Sequence, residues 1–141
     1  MAAIHQLVAG FTNGDAISNE ARRMRGVFRA WGFQSEIFCD PPHILPQLRQ
    51  EAHDVATAAA ACGARDIALL HLSIGSVVNQ AFAALRCRKA LLYHNVTPAA
   101  YFEAVNRRIA VDLARGREQV ARLAGAAEVN LADSRFNAAE I

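Results

Sequence analysis

Long apolar runs are missing from this chain of 141 residues: none approaches the roughly 18 residues that a membrane span needs. The opening Met1-Ala2-Ala3 leads straight into a strand-like segment, without the basic and apolar regions of a signal peptide. A cytoplasmic location is therefore expected. A dominant charge is missing too. Fifteen Lys and Arg face thirteen Asp and Glu, for a net charge of +2. The arginines are spread along the chain rather than massed, which argues against a nucleic-acid partner. Cysteines are few: Cys39, Cys62 and Cys87 are odd in number, widely spaced and match no zinc pattern. Reduced, mostly buried thiols are expected of them.

Familiar catalytic signatures are also absent. The sequence holds no G-x-S-x-G elbow, P-loop, H-E-x-x-H or clustered metal ligands. Gly10 and Gly14 do not fit the dinucleotide fingerprint G-x-G-x-x-G, and Asp15 with Asp133 is the nearest approach to a glycosidase carboxylate pair. No metal and no resident cofactor are expected. Neither internal repeat, low-complexity tract nor linker divides the chain, so residues 1–141 read as one domain, long enough to bury a core.

Short apolar runs alternate with helical periodicity, the pattern of βαβ units and a parallel sheet. Strands are predicted at Ile4–Phe11, Gln34–Cys39, Asp66–Ser73, Lys89–Val96 and Glu128–Ala132. Between them, a first helix carries Ile17, Ala21, Met24, Phe28 and Trp31 and stops at Gly32. A second is predicted from the stripe Leu48, Ala52, Val55, Ala59 and Cys62, and a short third from Ser76 to Leu85. A long fourth carries Phe102, Val105, Ile109, Leu113, Val120 and Leu123 on one stripe. Its other face offers Glu103/Arg107, Arg108/Asp112 and Glu118/Arg122 as i,i+4 pairs, read as a solvated face that leaves room for peripheral membrane contact. Ser134 fits the N-cap of one more helix, barely begun at Ile141. A lone turn is marginal, so the terminus is expected to be a cut through a larger protein.

Ligands of open parallel sheets bind beyond the carboxyl ends of the strands. The residues there are small and polar: Thr12–Ala16, Asp40, Ser73–Ser76, His94–Thr97 and Asp133–Ser134. In the first loop, Asn13-Gly14-Asp15, Gly14 admits close backbone approach, and free amides at the helix start favour an oxygen-rich group. The same three residues also suit a plain turn with Asp15 as a helix cap. Asp40 imitates the ribose-binding acid of dinucleotide proteins, but Asp before Pro-Pro equally suits a turn. His94 leaves the fourth strand beside Asn95, and the pair offers an imidazole and an amide to sugar hydroxyls. His71 sits inside the third strand and is read as structural; His5, His43 and His53 show no partner arrangement.

Taken in order, the segments IHQLVAGFTNGDAISNEARRMRGVFRAWGFQSEIF, LLHLSIGS, LLYHNVTPAAYF, LARGREQVARL and LADSRFN resemble the N-terminal domain of family 4 glycosyltransferases, over nearly the whole chain. The resemblance implies half of a GT-B enzyme: a Rossmann-like αβα sandwich on a parallel sheet of about five strands, facing a second domain across a cleft. Asn13, Gly14 and Asp15 are then similar to the loop facing the donor phosphate and the acceptor, although the commoner form has two adjacent glycines. His94 and Asn95, with Thr97 beside them, resemble the pair that touches the transferred sugar. Ser73, Gly75 and Ser76 match the acceptor-side loop, and Ser134 matches the serine opening the next helix.

By the same resemblance, the co-substrate is a nucleotide-diphosphate sugar bound mainly by the C-terminal domain. The acceptor is a glycan, lipid or small molecule. This domain alone is expected to be inactive, and to self-associate through the face its partner domain would cover. The residues themselves leave two rivals open, a Rossmann-like nucleotide-binding module and a non-catalytic partner domain.

Overall fold

The computed structural model describes residues 1–141. Six strands form one sheet: β1 (Ile4–Val8), β2 (Ile37–Cys39), β3 (His53–Asp54), β4 (Ile67–Leu72), β5 (Arg88–Tyr93) and β6 (Val129–Ala132). Every pairing is parallel, in the order β3-β2-β1-β4-β5-β6. The helices are α1 (Ala16–Ala30), α2 (Ala58–Ala61), α3 (Val77–Ala84), α4 (Arg107–Ala126) and α5 (Arg135–Ala138). The chain therefore runs outward from β1 to β3, returns to the centre, and runs outward the other way from β4 to β6. This is the doubly wound, Rossmann-like arrangement, whose switch point lies between β1 and β4.

Alternation along the strands sorts the core into two layers. Leu7, Leu70, Leu72, Leu91 and Tyr93 meet Val78 and Phe82 of α3 and Leu113, Val120 and Leu123 of α4 in a cluster of 17 buried residues. Val8, Ile37 and Cys39 point to the opposite face and join Phe11, Ala21, Ile44 and Leu48 in a cluster of 8. Burial of each large side chain contributes about 1.5–3 kcal/mol. The cysteines are free, with Cys39 and Cys87 buried and Cys62 half-buried. Burial pushes the thiols of Cys39 and Cys62 up to about 12, helped for Cys62 by its neighbour Cys87.

Local chemistry sets the helix ends. Asp15 Oδ2 accepts from the Ser18 amide at 2.9 Å and starts α1. Gly32, at φ +91°, carries the chain away from its end. Asn106 Oδ1 accepts from the Ile109 amide at 3.2 Å and starts α4. No helix is long and apolar enough to cross a membrane.

Several predicted elements need correction. The second helix, drawn through Leu48 to Cys62, is instead a 3-10 turn (Pro46–Leu48), the edge strand β3, another 3-10 turn (Val55–Thr57) and the four-residue α2. Leu48, Ala52 and Val55 are buried all the same, because successive tight turns repeat at nearly the helical spacing, but the next buried position is Ala58, and Ala59 is exposed. The sheet thus gains a sixth strand, in which His53 pairs with Phe38. β1 ends at Val8, and Phe11 keeps only an isolated bridge to Ile44.

The fourth helix begins at Arg107, not at Phe102, because Pro98 opens a 3-10 turn and Asn106 supplies the cap. Val105 is left outside the apolar stripe, 82% exposed. None of the three expected i,i+4 pairs closes to an ion pair; the ion pairs form elsewhere, as between Arg25 and Glu51 at 3.2 Å and between Arg117 and Glu140 at 2.6 Å.

One contact fixes α4 against the loop that follows β4. The Gly75 amide donates to the Asp112 carbonyl at 2.7 Å. A Cβ on Gly75 would stand 2.5 Å from that carbonyl oxygen, and one on Gly116 would stand 2.6 Å from the Gly75 nitrogen. Two missing side chains let loop and helix touch backbone to backbone.

Candidate functional site

At the switch point the carboxyl ends of β1 and β4 open a cavity of about 470 Å³. One wall is the loop after β1, with Ala9, Gly10, Thr12 and Asp15, joined by Asp40 and His43 from the end of β2. The facing wall is Ser73–Val77, with Gln80 from α3. Above it, α4 contributes Arg108, Ile109, Asp112, Arg115 and Gln119. The lining combines hydroxyls, amides, carboxylates and guanidinium groups, which suits a ligand rich in hydroxyls and carrying an anionic group.

The expected site residues divide. Asp15, Ser73, Gly75 and Ser76 line this cavity, whereas Asn13, Gly14, His94, Asn95, Thr97 and Ser134 do not. Asp15 Oδ2 is occupied by the Ser18 amide and hydroxyl, at 2.9 and 2.7 Å. Ser76 Oγ accepts from the Val78 amide and starts α3. Gly14, at φ +74°, has open space around it. Ser134 Oγ accepts from the Asn137 amide at 3.1 Å, the N-cap read from sequence.

Asn95 has a largely internal job. It adopts φ +72°, and its Oδ1 accepts from the Val96 amide (2.7 Å) and Arg117 Nη2 (3.2 Å), with the Tyr93 hydroxyl oxygen 3.3 Å away. Arg117 also donates to the Val96 carbonyl and to Glu140, and Tyr93 donates to Glu140, closing a cluster that ties α4 to the β5 exit. The bonds from Tyr93, then from Arg117, hold the Glu140 carboxyl below its usual range. Burial, then Glu140, pushes the Tyr93 phenol upward.

His94 belongs to a second polar assembly on the same rim. Its ring lies edge to edge with that of His71 in nearly one plane, with centroids 5.2 Å apart and planes within 7°. His94 Nε2 lies 2.9 Å from His71 Nδ1, and His94 Nδ1 lies 3.3 Å from Asp133 Oδ2. His71 Nε2 in turn meets Gln6 Oε1 at 2.8 Å, and Gln6 Nε2 donates to the Ala21 carbonyl of α1 at 2.8 Å. Burial, then the neighbouring His94, pushes the His71 imidazole down to about 3. His71 is buried inside its strand, as a structural histidine would be, and it also links His94 to the core.

The other histidines also have partners. Glu36 approaches His53 Nε2 at 3.1 Å, Asp40 approaches His43 Nδ1 at 3.3 Å, and His5 Nδ1 accepts from the Glu36 amide at 3.1 Å.

Sequence reasoning missed two groups. Arg108, Asp112, Arg115 and Gln119 form a polar stripe at i, i+4, i+7 and i+11 that faces the cavity; the spacing was visible, but a polar stripe beside interleaved acids reads as solvent-facing. Gln6 is fully buried in β1, and a lone amide in the middle of an apolar strand was its only signal. Comparison with protein-family models, curated proteins and solved structures returns no match for this chain.

Proposed function

We propose that this domain is the acceptor-side half of a retaining, two-domain sugar transferase of the kind its motif order resembles. The complete enzyme moves a sugar from a nucleotide-diphosphate sugar to an acceptor hydroxyl, and the donor is held mainly by a second domain. The observation that carries this reading is the cavity between β1 and β4, where strand-end loops and the polar stripe of α4 surround a space of about 470 Å³. Its hydroxyls and amides suit a polyol, and Arg108 and Arg115 suit a nearby phosphate. His94 and Asp133 stand further along the same carboxyl edge, beyond β5 and β6. Such an enzyme works by positioning the acceptor and stabilising the leaving diphosphate, tasks that need rigid polar walls rather than a nucleophile.

Two experiments test the reading. Incubated alone with a panel of nucleotide sugars, the domain is expected to release no nucleoside diphosphate; turnover of about 1 per second or more would overturn the assignment of the donor site to a second domain. In calorimetric titration, methyl glycosides and inositol are expected to bind weakly, and Asp112→Ala is expected to weaken them further.

A second reading has its own support. The strand order is that of dinucleotide-binding sheets, and Asp40 lines the cavity from the end of β2, where such proteins hold a ribose. Tight binding of a free nucleotide that is lost in Asp40→Ala and kept in His94→Ala would favour this non-catalytic nucleotide module.

A further inference from the structure

Asn79 is 1% exposed in α3, and its Nδ2 lies 2.9 Å from the Ile74 carbonyl oxygen and 3.0 Å from Gln119 Oε1. A backbone carbonyl can only accept, so the end of Asn79 that faces Ile74 is its amino group. That group carries a second hydrogen, which goes to Gln119, and Gln119 must answer with its oxygen. Turning either amide over would set lone pairs or hydrogens against each other inside the fold. Gln119 lines the switch-point cavity. With Oε1 committed to Asn79, the end left for a ligand is Nε2, which can only donate.

The cavity residues beside that donor sort along α4. Arg115 stands one helical turn before Gln119, a spacing that makes the two side chains neighbours. It enters no ion pair within the chain. Its base rests against the loop after β4, where a Cβ on Gly75 would stand 2.7 Å from the Arg115 Cβ. A guanidinium beside a fixed amide donor offers only hydrogens, which suits an oxyanion. Asp112, nearer the start of the helix, offers only lone pairs and so takes the hydrogens of hydroxyls.

We propose that the ligand of the cavity is a sugar or polyol phosphomonoester, its phosphoryl group held between Arg115 and Gln119 and its hydroxyls along Asp112. Asn79 is a positioning residue, since it acts through the Gln119 amide. The donor pair at Arg115 and Gln119 follows from the hydrogen-bond order; the sugar or polyol part rests on the transferase reading above, in which it is the acceptor. One guanidinium and one amide match one phosphoryl group. The Asp112 carboxylate, one turn away, repels a second, so a nucleoside diphosphate does not belong at this spot.

Glucose 6-phosphate, methyl glucoside, inorganic phosphate and uridine diphosphate, each titrated into the folded chain under two-dimensional NMR, test this. Glucose 6-phosphate is expected to bind about tenfold more tightly than methyl glucoside or inorganic phosphate, the worth of a hydrogen bond to a charged group. It is also expected to shift the side-chain Nε2 resonance of Gln119 saturably. Methyl glucoside binding as tightly as the phosphate ester, or uridine diphosphate binding more tightly at that resonance, would overturn the proposal and leave the polyol cavity standing. Inorganic phosphate binding as tightly as the ester would remove the sugar part, and no binding by any of the four would take the transferase reading as well. Gln119→Glu keeps an oxygen for Asn79 and turns another into the cavity, so the preference for the ester over methyl glucoside is expected to vanish. Arg115→Met is expected to lose it too, and it decides the matter where Gln119→Glu does not fold. A preference that survives with a native amide spectrum sinks the proposal. Asn79→Ala frees the Gln119 amide to turn and is expected to lower the preference about threefold; an unchanged preference would remove the positioning role of Asn79.

Discussion

The switch-point cavity and the histidine row share one rim of the sheet and are built in opposite ways. The cavity is walled by loops and by the polar stripe of α4, and it brings carboxylates, guanidinium groups and small residues to an open space. The row is closed: from the Ala21 carbonyl to His94 each polar atom already has its partner, and only the Asp133 end is exposed. The first arrangement leaves groups free for a ligand. The second spends its groups on fixing one imidazole.

The sharpest way to break this comparison is to disturb the wall without touching the row. Gly75→Val drives side-chain atoms into the Asp112 carbonyl and is expected to cost about 3 kcal/mol in urea denaturation. A loss below about 0.5 kcal/mol would show that α4 is not held there.

Next in size is the pH response of the row. The folded His71 value, about 3, lies below the unfolded 6.5, so the folded state binds fewer protons in that interval. Its contribution is whole above pH 6.5 and drains away as the pH falls toward 3. Between pH 7 and pH 5 the loss is about 2 kcal/mol. His5, lowered first by burial, acts in the same direction. His71→Gln is expected to remove most of this slope, and an unchanged slope would mean that the buried ring does not carry it.

Arg117→Met, which unties α4 from Tyr93, Asn95 and Val96, is expected to cost about 1 kcal/mol, a figure already discounted for the partial exposure of the guanidinium. Gly14→Ala should cost about 1 kcal/mol or less in thermal unfolding. Its φ of +74° strains an added Cβ, but nothing stands in that Cβ's way.

Most of the fold could be read from the sequence because its central strands are long apolar runs and its main helices have clear caps. The predicted segments over Asp66–Ser73 and Lys89–Val96 became β4 and β5, and Ser134 became a cap as expected. Residues 46–62 defeated the periodicity argument, since 3-10 turns and an edge strand bury Leu48, Ala52 and Val55 at helical spacing. Placing candidates at the strand ends pointed to the rim on which the cavity opens, and Ser73, Gly75, Ser76 and Asp15 line that cavity. It could not say which strand-end groups are already committed. Asn95 Oδ1 is taken by the Val96 amide and Arg117, and the partners of His94 lie 23 and 39 residues away along the chain. Long-range hydrogen bonds leave no periodic trace.

The most direct measurement of the central claim is an amide-resolved titration of the folded chain with methyl glycosides and inositol, followed by two-dimensional NMR. Saturable shifts concentrated at Gly10, Thr12, Ser73, Gly75 and the α4 residues 108–119 are the expected result. Shifts scattered over the surface, or confined to the outer edges of β3 and β6, would contradict it.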